Sequence, residues 1–271
     1  MVYGGNSVGK CGLTGLIVSL FLGTAIPARG QIYFGISPIR AEHKIKPGES
    51  LTDVFMVRNN ASGPIRIKVY CENWTLRSDG TASFIGATAT SYSGRDWIIV
   101  NPQDFRLNPG ETKSVRYTIT VPPDAPAAGY HASVSFETVP EANAAQSGNR
   151  MLFTGKIAAA VYITVGKVAV EGNLLDLKIG SKDNGPAIIL ELANTGRMHF
   201  RTRGTIRVFD SGGRKISDLD IPDDVVLPEG RRDVACALPN KLDPGSYRVV
   251  CRLDIGRAEM LEMERTIRIE K

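Results

Sequence analysis

A glycine- and lysine-containing stretch near the amino terminus comes closest to a motif with known chemistry. The spacing from Gly4 to Gly9 and Lys10 fits G-x-x-x-x-G-K, in which backbone N–H groups hold phosphates and the lysine reaches them. That motif also needs a strand before it and a Ser or Thr after the lysine. Here Cys11 stands in the hydroxyl position and an apolar run over 13–26 follows. We therefore predict that this stretch is not a nucleotide site.

The same residues fit a secretory leader. A basic Lys10 precedes the apolar run 13–26, and small residues follow up to Gly30. The run is shorter than the roughly 20 residues that cross a bilayer comfortably. We predict a signal peptide over 1–30, cleaved near Gly30/Gln31, and an exported mature protein.

Charge and hydropathy argue against nucleic acid and membrane as partners of the mature chain. Removing Lys10 and Arg29 with the leader lowers the formal net charge from +5 to +3, and no basic cluster exceeds Arg231-Arg232. Nucleic-acid binding needs a basic patch or stripe, so we expect none. We find no second apolar segment after the leader, and expect no membrane anchor in the mature form.

Residues with catalytic potential are scattered. His43, His131 and His199 lie on separate β-like segments without a partner at metal-ligand spacing, and no hydrolase, protease or EF-hand motif occurs. Asp223 and Asp224 lie together in a proline-flanked loop, which predicts solvated turn residues. We expect no enzyme activity, no cofactor and no metal site.

Three cysteines remain after the leader. We expect Cys71 to be a small buried residue rather than a reactive thiol. Strand alternation points Cys236 and Cys251 toward one core, so a disulfide between them is allowed in an oxidising compartment. The sequence leaves that pairing open.

Short β-like runs dominate the chain after residue 31. They are rich in Val, Ile, Tyr, Phe and Thr and are broken by Gly, Pro, Asn and Asp, as in LTDVFMVRN, IRIKVYCENW, AIILELAN and YRVVCRLDI. Almost no segment shows helical periodicity. This pattern is typical of an all-β sandwich protein.

The runs occur in two copies. Residues 56–70 and 191–208 share the order strand, Asn, small hydroxyl residue, Gly, strand. Residues 107–136 and 227–253 share a Pro/Gly turn, a strand, a Pro-rich corner and a tyrosine. Those tyrosines, Tyr130 and Tyr247, stand where an immunoglobulin-like sandwich has its corner tyrosine. We predict two tandem immunoglobulin-like β-sandwich domains, over 31–166 and 167–271.

One segment, WIIVNPQDFRLNPGETKSVRYTI (97–119), resembles the PapD-like family of periplasmic pilus-assembly chaperones. Three further stretches follow the family's order, namely 34–40, 56–74 and 129–140. The resemblance covers roughly residues 32–165, and its most specific part is a Phe-Arg-Leu-x-Pro-Gly element. The residues that match in 97–119 are Pro102, Phe105, Arg106, Leu107, Pro109, Gly110 and Arg116.

The resemblance implies a chaperone for pilus, fimbrial or other β-rich surface subunits. Such a chaperone donates an edge strand to a subunit whose own sandwich lacks one, and an outer-membrane usher is a further implied partner. A second hypothesis is an exported structural or adhesive tandem sandwich without chaperone activity. Partner-dependent protection of the edge from hydrogen exchange would distinguish the two.

The resemblance also implies where a subunit binds. Arg40 matches the first-strand arginine that anchors a subunit's terminal carboxylate, with Ile39 replacing the usual threonine. The lysine that completes this pair in the family would fall within 158–160, a run of alanines. Lys156 is the nearest basic residue, a few positions away.

The strand over 150–166 is expected to carry the donated side chains. The bulky set near its start is Met151, Leu152 and Phe153, whereas Ile157 to Val165 alternate toward the domain's own core.

Overall fold

The computed structural model describes residues 34–88, 90–140, 154–239 and 242–269. The predicted leader and the predicted donor residues Met151, Leu152 and Phe153 lie outside these ranges. No helix within them is long and apolar enough to cross a membrane.

The amino-terminal half of the described chain forms a sandwich of two sheets. One sheet has the order β1-β3-β8-β6, and the other has the order β2-β10-β9-β4-β5 with β7 also paired to β4. A single 3-10 turn, Arg95–Trp97, precedes β6. The strands are β1 (Phe34–Ser37), β2 (Arg40–Ile45), β3 (Ser50–Asn59), β4 (Ile65–Leu76), β5 (Ala82–Gly86), β6 (Ile98–Asn101), β7 (Asp104–Leu107), β8 (Thr112–Thr120), β9 (Ala128–Val139) and β10 (Lys156–Val165).

The carboxy-terminal half forms a second sandwich, from sheets ordered β11-β12-β17 and β15-β14-β18-β19, with a short β13-β16 ladder beside them. Its strands are β11 (Gly172–Lys182), β12 (Gly185–Asn194), β13 (Phe200–Arg201), β14 (Arg203–Phe209), β15 (Lys215–Asp220), β16 (Val225–Val226), β17 (Arg231–Ala237), β18 (Gly245–Asp254) and β19 (Leu261–Ile269). The predicted all-β architecture of two β-sandwiches is confirmed.

Period-two alternation explains why these segments are strands. In β8 the side chains of Val115, Tyr117 and Ile119 are fully buried, whereas Arg116 between them is exposed. Each sandwich places such inward faces against one another, and the two resulting cores are separate clusters. Ile157 to Val165 on β10 contribute to the first core, as the sequence predicts.

The predicted internal repeat has a structural cause. Asn59 and Asn194 are both buried, and each carboxamide accepts a hydrogen bond from a backbone N–H two residues on. Each also donates to two carbonyl groups, one of them far along the chain: Leu107 for Asn59, and Val226 for Asn194. The same residue therefore closes the same turn in both sandwiches.

Both predicted corner tyrosines bond back to the chain four residues upstream. The hydroxyl of Tyr130 donates to the carbonyl oxygen of Pro126 at 3.0 Å, and that of Tyr247 donates to Asp243 at 2.8 Å. Tyr130 is buried, whereas Tyr247 is partly exposed.

Tyr130→Phe is expected to lower the free energy of unfolding by about 1 kcal/mol, because it removes the hydrogen bond that the hydroxyl of a buried tyrosine donates. Urea unfolding measures the change. Tyr247→Phe is the matched control and should cost less, because water can replace its bond. Equal costs for the two variants would contradict this assignment.

The two sandwiches belong to one compact unit and are tied by backbone contacts. The amide of Gly129, at the start of β9, donates to Arg197 at 2.7 Å. At the tip of the β4–β5 hairpin, the carbonyl oxygen of Ser78 accepts from the amide of Asp233 and from the guanidinium of Arg232. We refer to the region where the two sandwiches meet around Arg40, Arg201 and Asp223 as the cleft.

Candidate functional site

The start of β10 has an open backbone edge. β10 pairs with β9 along its whole length, but it pairs with β2 only from Ala160, opposite Arg40, to Val165. Among the described residues, no strand lies on that side of 156–159. The N–H of Ala160 points toward β2, since it donates to Ile39 at 3.1 Å. Alternation along the strand therefore points the N–H and C=O groups of Lys156 and Ala158 to the open edge.

Side chains around this edge are partly apolar. Ile39, at the end of the open stretch, is 66% exposed. Ala158 and Ala160 lie on the outer face of β10, on the same face as Tyr162. This face of the strand therefore carries small side chains at positions 158 and 160.

Arg40 begins β2 and lies at the cleft. Its guanidinium pairs with Glu42 on its own strand at 3.2 Å and with Asp223 of the second sandwich at 3.5 Å. Ala160 is its neighbour on β10. The position beside Arg40 where the resemblance implies a lysine is therefore occupied by a methyl group.

Lys156 is held elsewhere. Its ammonium pairs with the buried carboxylate of Glu72, which also accepts a hydrogen bond from the Ser135 hydroxyl. The same ammonium lies 4.2 Å from the centroid of the Phe84 ring and 5.6 Å from that of Tyr70. It is four residues from Ala160, or roughly 13 Å along the strand. The structure thus does not bring Lys156 and Arg40 together.

Arg201, from β13 of the second sandwich, lies at the cleft instead, and the sequence analysis did not identify it. Its Nε donates to the Asp223 carboxylate at 2.6 Å, and its Nη2 donates to the Asp223 carbonyl oxygen at 2.7 Å. This hydrogen bond, followed by the charges of Arg201 and Arg40, lowers the pKa of Asp223.

The prediction that Asp223 and Asp224 are simply solvated turn residues is incomplete. Asp223 pairs with two arginines, and the carboxylate of Asp224 pairs with Arg232 at 3.2 Å. The partners come from both sandwiches, so no local spacing in the sequence could reveal these pairs.

A buried ring cluster lies where the two sandwiches meet. Trp74, Tyr162 and Leu227 pack together across the two sandwiches. The His131 ring lies 5.4 Å from Trp74, and the His199 ring lies 4.5 Å from Tyr162. Burial lowers the pKa of both histidines to about 4.

Three nitrogens in this cluster have no hydrogen-bond partner among the described residues: Trp74 Nε1, His131 Nδ1 and His199 Nδ1. His131 is fixed through its other nitrogen, which lies 3.2 Å from the Trp74 carbonyl oxygen. The histidines therefore pack as neutral rings rather than as ligands. Within the described ranges, no group of three or more residues could hold a metal ion.

Cys236 and Cys251 both face the second core, as alternation predicts, and the structure has both as free thiols. Burial raises the pKa of each thiol to about 12. Their pairing under oxidising conditions stays a prediction.

No family model and no curated protein sequence matches the chain. Solved structures do. One is from work on a chaperone–tip adhesin complex in CFA/I fimbriae biogenesis, with 18% identity over 86% of this chain and 98% of that chain and a TM-score of 0.48. Another is the class 5 fimbriae chaperone CfaA, with 19% identity, coverage of 86% and 98%, and a TM-score of 0.46.

A third is a Salmonella enterica structure of the SafA pilin in complex with the SafB chaperone. The match has 15% identity, covers 87% of this chain and 98% of that chain, and has a TM-score of 0.44. These structures are of fimbrial and pilus chaperones, two of them in work on subunit complexes. They share little sequence with the chain, whose function must follow from its own residues.

Proposed function

We propose that the protein is a periplasmic chaperone that holds a pilus, fimbrial or other β-rich surface subunit by adding an edge strand to it. The observation that carries this proposal is the open edge of β10 at 156–159, which ends beside Arg40 in the cleft. Unpaired N–H and C=O groups on an edge are a template for another strand.

In this mechanism the subunit supplies a strand that pairs with the outward backbone groups of Lys156 and Ala158. Main-chain hydrogen bonds give affinity, and alternate side chains give specificity. Met151, Leu152 and Phe153, just before β10 in the sequence, would enter the subunit's groove. Arg40 would bind a terminal carboxylate through charge-assisted hydrogen bonds.

The remaining elements of the proposal concern delivery and layout. The leader over 1–30 would export the chain, and the domains 31–166 and 167–271 would form the arms of the cleft. An outer-membrane usher would receive the loaded subunit. No step in this scheme requires a cofactor or metal.

Ala158→Pro tests the open edge. Proline removes an N–H that faces no described strand, so the fold should tolerate it as an edge strand does. Binding of a peptide that adds a strand should weaken about tenfold, since one hydrogen bond is lost and the ring obstructs the edge. The probe is an N-acetylated peptide of four Thr-Val repeats with a free terminal carboxylate, measured by calorimetry.

Ala159→Pro is the matched control, because its N–H faces β9 and its loss should destabilise the fold itself. Hydrogen exchange on the wild type adds a second readout: the amides of Lys156 and Ala158 should become protected only with peptide present. Two results would favour the second hypothesis, an exported structural or adhesive protein without chaperone activity. They are protection of both amides without peptide, and equal peptide binding by wild type and Ala158→Pro.

A further inference from the structure

The Asp223 carboxylate links the two sandwiches across the cleft. One of its oxygens accepts from Arg201 Nε at 2.6 Å, and the other lies 3.5 Å from Arg40 Nη1. A single carboxylate thus contacts one guanidinium from each sandwich. That is also the arrangement in which two arginines would bind the carboxylate of another molecule.

The charges at this point are balanced. Arg40 and Arg201 are matched by Glu42 and Asp223, all from the described part of the chain. An incoming carboxylate would gain little from a neutral site, because attraction between exposed charges is weak unless one charge is uncompensated. Binding of an anion here therefore requires one of the two acids to leave.

Asp223 is the acid whose departure would free both arginines, because Glu42 pairs with Arg40 alone among the described residues. The Asp223 side chain is about half exposed, so rotation into solvent buries no charge. Arg201 would keep its place, since its Nη2 also donates to the Asp223 backbone carbonyl oxygen, and its side chain is only 18% exposed. Arg201 is thus preorganised to accept a replacement carboxylate.

We propose that Asp223 is an internal carboxylate that occupies the site formed by Arg40 and Arg201, and that the terminal carboxylate of a bound subunit displaces it. This inference rests on the proposed function and deepens it. It makes Arg201 a subunit-binding residue contributed by the second sandwich. It also makes Asp223 a competitor that weakens the binding of a ligand's terminal carboxylate at this site.

The test compares two peptides on the full chain by calorimetry at low salt: four Thr-Val repeats ending in a free carboxylate, and the same peptide ending in an amide. Asp223→Asn removes the competing charge while keeping the side-chain shape. We expect it to bind the carboxylate peptide about fivefold more tightly than wild type does, the order expected for exposed ion pairs, and to bind the amide peptide unchanged. Arg201→Gln should reduce the preference for the carboxylate.

Asp218→Asn is the matched control, because Asp218 is equally exposed and pairs with Arg207 and Lys215 on a surface of the second sandwich. It should leave both affinities unchanged. Unchanged or weaker carboxylate binding by Asp223→Asn would overturn the inference, while strand addition would stand if Ala158→Pro still weakens binding. Failure of the proposed function would differ, since neither peptide would then bind wild type or any variant, and the inference would fall with it.

Discussion

Lowering the pH from 7.5 to 4.5 is expected to reduce the free energy of unfolding by about 2 to 3 kcal/mol for each of two histidines. Burial lowers the pKa of His131 and His199 to about 4, from an ordinary value of 6.5. The unfolded chain therefore binds protons first as the pH falls. With respect to these two histidines, the protein therefore has its full stability above pH 6.5. It loses that stability as the pH falls from 6.5 toward 4.

The surroundings of the two rings explain why protonation is not compensated. The His131 ring packs against the Trp74 ring, and one of its nitrogens contacts the Trp74 carbonyl oxygen. His199 lies against Tyr162, and the positive charges of His131 and Arg201 lower its pKa further. No carboxylate contributes to either shift. Charging both rings would place like charges in one buried cluster between the sandwiches.

Urea unfolding at pH 7.5, 6.0, 5.0 and 4.5 measures this effect. His131→Gln and His199→Gln should each flatten the pH dependence, because glutamine is polar but does not titrate in this range. His43→Gln is the control: His43 contacts the Tyr117 hydroxyl, 2.8 Å away, and Asp53, and its ring contact among the described residues is with Tyr117 rather than with Trp74 or Tyr162. It should retain most of the slope. If the double variant His131→Gln/His199→Gln had the same slope as wild type, other groups would be the cause of the acid sensitivity.

Lys156→Met is expected to cost about 3 kcal/mol of unfolding free energy at neutral pH. The Glu72 carboxylate is almost fully buried, and Lys156 supplies its only counter-charge among the described residues. Removing one partner of a buried ion pair leaves an uncompensated charge, which is more costly than the pair itself. The variant also loses the contact of the ammonium with the Phe84 ring.

The double variant Lys156→Met/Glu72→Gln should recover most of this loss, since no buried charge remains. Lys178→Met is the matched control, because the Lys178–Glu191 pair is solvent-exposed and should contribute at most about 1 kcal/mol. Urea unfolding of the four proteins gives the comparison. If Lys156→Met cost no more than Lys178→Met, Lys156 would be free to act in binding rather than in holding the strand.

Features that depend on local pattern were predictable from the sequence. The turn asparagines Asn59 and Asn194 and the corner tyrosines Tyr130 and Tyr247 make their hydrogen bonds partly within a few residues of themselves. Their spacing therefore carries the structure. The inward face of β10 was predictable for the same reason, because alternation along one strand decides which side chains enter the core.

The chemistry of the cleft was not predictable in this way. Lys156 meets Glu72 because β9 lies between β10 and β4 in one particular register. Arg201 and Arg40 meet at Asp223 because two sandwiches approach each other at one angle. Sequence periodicity predicts neither the register between distant strands nor the angle between domains. Arg40 could be singled out only through the resemblance.

The start of β2 at Arg40 would set the register of an added strand. In the proposed function, a strand added along the open edge could advance only as far as Ala160, because β2 pairs with β10 from Arg40 onward. The end of the incoming chain would then lie at a fixed position, and the number of residues between each side chain and that end would decide which face the side chain occupies. One residue more or fewer before the end would reverse every assignment, since neighbours in a strand point to opposite faces. Selection would then act on the length of a subunit's tail as strictly as on its composition.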